Sequence, residues 1–116
     1  MPQHAAKHKG IKYTETFKLT ARNVVDFLSA SIDEPKKPFA KQIDEFEANV
    51  NVYPEGCQIA PDLLQLGCDR YRECITSDGY RILYSYDIQS KELTAHVILS
   101  KRQSVLESLF QRLIAV

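Results

Sequence analysis

The sequence predicts an α+β fold: an N-terminal strand, a helical hairpin, a three-stranded antiparallel meander and a short C-terminal helix. Three observations carry that prediction. Residues 70–102, RYRECITSDGYRILYSYDIQSKELTAHVILSKR, alternate apolar and polar side chains in three consecutive runs. Between residues 20 and 50 the apolar period lengthens to that of a helix, with a proline-rich break in the middle. After the third run, Ser104-Val-Leu-Glu107 matches a helix capping box.

In chain order, Met1 to Gly10 hold two histidines and two lysines without apolar periodicity, and read as a flexible tail. Ile11 to Thr16 alternates and predicts a short first strand. Ala21, Val24, Val25, Leu28 and Ile32 then form a helical stripe, with Thr20 placed to cap it. Glu34-Pro35-Lys36-Lys37-Pro38 breaks the helix, because proline lacks a donor and restricts the residue before it. A second stripe, Phe39, Ile43, Phe46 and Val50, stops before Pro54 and Gly56. Tyr53 to Gly67 reads as a loop enclosing one helical turn at Asp62 to Leu66. Its Leu63, Leu64 and Leu66 either plug the sheet edge or await a partner. Beyond the capping box, Leu106, Leu109, Phe110 and Leu113 share one face of the terminal helix.

In the meander, Asp78-Gly79 is the pair that a two-residue type I′ turn favours. That turn sets Thr76 opposite Arg81, Cys74 opposite Leu83 and Arg72 opposite Ser85. One face then holds Tyr71, Glu73, Ile75, Ile82, Tyr84 and Tyr86. Leu93, Ala95, Val97 and Leu99 join it to keep the third strand's apolar set out of water. The other face gathers Arg72, Cys74, Thr76, Arg81, Leu83 and Ser85 beside Thr94, His96, Ile98 and Ser100. The first face is expected to carry the helices.

The 116 residues suit one domain, spanning 11–116 behind the tail of residues 1–10. Formal net charge is zero, so nucleic-acid binding requires a local patch rather than a whole-molecule field. No run is long enough to span a membrane and no signal-peptide core begins the chain, which predicts a cytoplasmic location. Cys57, Cys68 and Cys74 show no CxxC spacing and read as small buried thiols, with a zinc site including His96 as the lesser alternative. No nucleotide-binding loop, nucleophile elbow or HExxH motif occurs. What remains is the polar face, where Arg72, Arg81, His96, Lys101 and Arg102 offer phosphate-binding chemistry, with Arg70 beside them. Arginines on a solvated sheet face are the plain alternative.

RYRECITSDGYRILYSYD resembles the central hairpin of the RelE/ParE toxin superfamily, with its Gly-Tyr-Arg-(aliphatic)2-Tyr second strand. HVILSKRQS is similar to the strand that follows and its basic exit. The resemblance runs from about Ile11 to the end. It implies a growth-inhibiting toxin of a type II toxin–antitoxin module, of the kind used in plasmid stabilisation, silenced by a cognate antitoxin protein. In the RelE branch such a toxin cleaves messenger RNA at the ribosome without a metal or other cofactor. Arg72, Arg81 and Arg102 match its basic positions, and Lys101 and Arg70 would add nucleic-acid contacts. Cys74 stands where that branch often has a lysine, and the terminal helix lacks a tyrosine, so His96 is the substitute general base. The ParE branch, which poisons DNA gyrase on DNA without nuclease residues, is the alternative. A non-toxic protein that only binds antitoxin is a third. The antitoxin is expected on Leu63, Leu64, Leu106, Leu109 and Phe110, along a helical groove or as an added strand.

Overall fold

The computed structural model describes residues 10–29, 34 and 36–100. Their order is β1 (Ile11–Tyr13), α1 (Glu15–Ser29), α2 (Lys36–Val52), β2 (Gln58–Ile59), α3 (Pro61–Leu64), β3 (Arg72–Ile75), β4 (Arg81–Asp87) and β5 (Glu92–Leu99). The α+β class agrees with the sequence, but the meander is extended at both edges. Among the described residues the sheet has five strands in the order β1-β5-β4-β3-β2, with β1 parallel to β5 and the other pairs antiparallel. The predicted terminal helix and the first nine residues of the tail lie outside the described residues.

α1 begins earlier than its apolar stripe suggests. Thr14, not Thr20, caps it: the Phe17 amide donates to Thr14 Oγ1 at 3.0 Å. Thr20 lies buried inside the helix. Its hydroxyl is 2.9 Å from the Phe17 carbonyl and accepts the Ile98 amide at 3.2 Å. β1 ends at Tyr13, so β5 runs on with β4 on one side and no described strand on the other. Thr14 meets that need at the His96 carbonyl (3.1 Å) and Thr20 at the Ile98 amide.

The second helix also starts before its predicted boundary, and Pro38 falls in its first turn. A missing donor costs nothing there, since those amides have no partner within the helix. Phe46 and Val50 are fully buried, and Phe46 meets Tyr84 edge-on at 5.6 Å between ring centres. The polar side of α2 holds the β3–β4 turn. Glu45 accepts from the Ser77 amide (2.6 Å) and hydroxyl (2.8 Å), and the Gln42 amide donates to Asp78 (2.6 Å).

That turn has three residues, not two. The Thr76 amide donates to the Tyr80 carbonyl at 2.8 Å, and Gly79 sits at φ +91°, the left-handed position a three-residue hairpin needs. Arg72 therefore faces Tyr84, Cys74 faces Ile82, and Ile75 faces Arg81. The slip of one position overturns the predicted faces of the first hairpin strand. Arg72, Cys74 and Thr76 join the face of Ile82 and Tyr84, whereas Glu73 and Ile75 join that of Arg81 and Leu83. Ile75, expected in the core, is exposed.

A bulge then splits the third strand. Leu83 pairs with Val97 but Tyr84 pairs with Ala95, leaving His96 unpaired in the β4–β5 ladder. Leu93 and Ala95 stay in the helix-covered core with Phe17, Phe46, Val50, Cys74, Ile82, Tyr84 and Ile98. Val97 and Leu99 turn to the opposite face and pack with Leu83, Ala60 and Leu63. The face expected to be polar thus carries a second, smaller core under α3.

Candidate functional site

The polar groups of the second face collect at the bulge. Because His96 has no partner on β4, its ring settles beside Ser85, with Nε2 2.7 Å from Ser85 Oγ. Tyr71, just before β3, meets the imidazole at right angles with 5.0 Å between ring centres. The Arg70 guanidinium carbon lies 5.7 Å from the Tyr71 ring centre, within cation–π range. His96 and Ser85 are half-buried and Arg70 is exposed. Burial, helped by the charge of Arg70, lowers the His96 pKa below the ordinary histidine value. The imidazole is therefore neutral near pH 7. A neutral imidazole beside a hydroxyl can take a proton, and a cation at its rim can hold an anion.

The two arginines expected to share this face are separated. Arg81 lies on it, but Nη1 is 3.4 Å from Glu73 Oε2, with side-chain exposures of 19% and 6%. Burial raises the Glu73 pKa more than Arg81 lowers it, and Asp62 adds to the rise. Arg72 points to the opposite side of β3. Its Nη1 donates to the Cys57 carbonyl at 2.7 Å, and its Nη2 is 3.9 Å from Glu55. Both guanidinium groups thus have protein partners.

Of the proposed docking leucines, Leu63 is buried against Leu83, Val97 and Leu99, which removes it as a free contact. Leu64 is exposed. Arg102, Lys101, Leu106, Leu109 and Phe110 lie outside the described residues. Sequence reasoning put Ser85 and His96 on one face but Tyr71 on the other, because Tyr71 reaches His96 only through the longer turn. Among the described residues no group of three or more His, Cys, Asp or Glu side chains is placed to hold a metal. No described helix is long and apolar enough to cross a membrane. No protein-family model matches the sequence, and no curated protein matches it.

Proposed function

We propose that this protein is a cytoplasmic, growth-inhibiting toxin of a type II toxin–antitoxin module, built on the RelE/ParE plan and held silent by an antitoxin protein. Its favoured target is messenger RNA at the ribosome, cut without a metal. The strand, helix pair and meander in that order support the architecture. The observation that carries the chemistry is the His96 imidazole at the bulge, with Nε2 2.7 Å from Ser85 Oγ and Arg70 beyond the Tyr71 ring that flanks it. In this reading His96 receives the proton of the attacking 2′-hydroxyl through Ser85, the bond from phosphorus to the 5′-oxygen breaks, the leaving oxygen takes a proton from water, and Arg70 holds the phosphate with Lys101 and Arg102. Developing charge on the phosphate would be met by these cations.

The Arg81–Glu73 pair favours a second reading. An arginine held by a buried carboxylate is poorly placed to meet a phosphate, and Arg72 faces away. A ParE-like gyrase poison, or a protein that only binds antitoxin, needs neither group. Induction from a tight promoter, with RNA and DNA ends mapped in the same cells, separates the three. Codon-phased RNA cuts that disappear in His96→Gln support the nuclease. Gyrase-dependent DNA breaks with whole messenger RNA select the poison. Undisturbed growth at high expression leaves the antitoxin-binding protein.

A further inference from the structure

β2 and β3 pair antiparallel, with Gln58 opposite Glu73 and Ile59 opposite Arg72. One step further along the same register sets Cys57 opposite Cys74. The Ala60 amide donates to the Tyr71 carbonyl at 2.9 Å, which makes Ala60 and Tyr71 a hydrogen-bonded pair. Hydrogen-bonded and open pairs alternate along an antiparallel ladder, so Gln58–Glu73 is again bonded and Cys57–Cys74 is open. Open pairs bring opposing Cα atoms to about 4.5 Å, within the span that a disulfide bridges. Cys74 is buried in the main core and Cys57 packs against that core from its edge. Cys68 packs instead against the smaller core on the opposite face.

We propose that Cys57 and Cys74 are a modification site: they form a reversible cross-strand disulfide by exchange with a small-molecule disulfide such as glutathione disulfide. All three cysteines are free thiols in this structure. The reaction needs an attacking and a resolving thiol, and the surroundings distinguish them. Cys57 is half-buried and hydrogen-bonded to Cys74, which, with the charge of Arg72, lowers its pKa against the effect of burial. Cys74 is raised, first by its hydrogen bond to Cys57 and then by burial.

Cys57 loses its proton to solvent and attacks one sulfur of glutathione disulfide. A Cys57–glutathione bond forms, the glutathione S–S bond breaks, and the expelled thiolate takes up a proton. The negative charge on Cys57 is then gone, and with it the main influence holding the Cys74 proton. Cys74 yields that proton to solvent, attacks Cys57 Sγ and expels the second glutathione. The two protein thiols give up two electrons, and one glutathione disulfide becomes two glutathione thiols. The cross-link pins the short edge strand β2 to β3 and fixes the Cys57 carbonyl that anchors Arg72.

The test is to equilibrate the full chain in glutathione buffers of graded oxidised-to-reduced ratio, then block free thiols and map peptides by mass. Tryptic cleavage leaves Cys57 and Cys68 in one peptide, residues 42–70, so Cys68→Ser is run beside the unaltered protein. A cross-link between that peptide and residues 73–81 is expected in both, reversed by excess reduced glutathione. The oxidised form should unfold at least about 5 °C higher than the reduced form. In Cys74→Ser the glutathione adduct should accumulate on Cys57. The unaltered protein decides the matter if that variant fails to fold. Three free thiols across the whole range, a glutathione adduct without the cross-link, or a cross-link that requires Cys68 would each overturn the proposal.

Discussion

Arg81 meets Glu73 diagonally across β3 and β4 at 3.4 Å, with the carboxylate almost out of water. Such a pair stabilises little by itself, but losing one member strands the other. Arg81→Ala should cost about 3 kcal/mol in urea unfolding, whereas the double change Arg81→Leu, Glu73→Leu should stay close to the unaltered protein. A double-mutant cycle measures the coupling; independent, additive effects would mean that the pair is not a unit. Toxicity that disappears in Arg81→Ala must therefore be checked against the amount of folded protein.

The pH dependence of stability should carry the mark of His96. Its folded pKa lies below the unfolded one, so the unfolded chain binds more protons as pH falls through the ordinary histidine range. Its contribution is present above pH about 6.5 and lost below that value. Glu73, with its raised pKa, acts the opposite way in the carboxylate range. Comparing thermal midpoints of His96→Gln and the unaltered protein at pH 7.5 and 5.5 cancels the Glu73 effect. The unaltered protein should lose more stability on acidification. Equal losses would show the imidazole to be as basic folded as unfolded.

Thr20→Val keeps the shape of the side chain but leaves the buried Ile98 amide without its acceptor. A cost of about 2 kcal/mol is expected, and Thr20→Ser should recover most of it. Hydrogen exchange at Ile98 provides the local readout: faster exchange in the valine variant alone is the expected pattern.

The sequence carried the class of the fold because two periods were plain in it: apolar side chains three to four apart before Pro54, and alternation after Tyr71. It misplaced Arg72, Cys74, Val97 and Leu99 for two local reasons. Asp78-Gly79 suits both a two-residue and a three-residue turn. The choice is made from another element, by Glu45 and Gln42 of α2 holding Ser77 and Asp78. The bulge at His96 left no composition signal, since Ala95-His96-Val97 alternates like any half-buried strand. Each event moves side chains by one position, and in a sheet one position is the other face. Ser85 and His96 were legible on one face, but the arrival of Tyr71 beside them was not.

Gly79 offers a check on the longer turn. At φ +91° an added Cβ is strained, so Gly79→Ala should cost about 1 kcal/mol. A two-residue type I′ turn also needs a left-handed Asp78, which here has an ordinary negative φ. Asp78→Val, whose branched Cβ disfavours a positive φ but accepts the ordinary negative one, therefore discriminates the two. It should leave the hairpin's cross-strand nuclear Overhauser contacts between Cys74 and Ile82 in place, while a two-residue turn would lose its register.

β1 lies parallel to β5, with Ile11 opposite Leu93, and the Thr14 hydroxyl reaches the His96 carbonyl 82 positions further on. During synthesis the first strand leaves the ribosome long before β5, its neighbour in the sheet, exists. α1 waits as well, since Thr20 satisfies an amide of that same late strand. The nascent chain can collapse around α2 and the β3–β4 hairpin, but the sheet closes only after the residues of β5 have cleared the exit tunnel. Any activity seated at His96 is therefore withheld from the growing chain and arrives in a single late step.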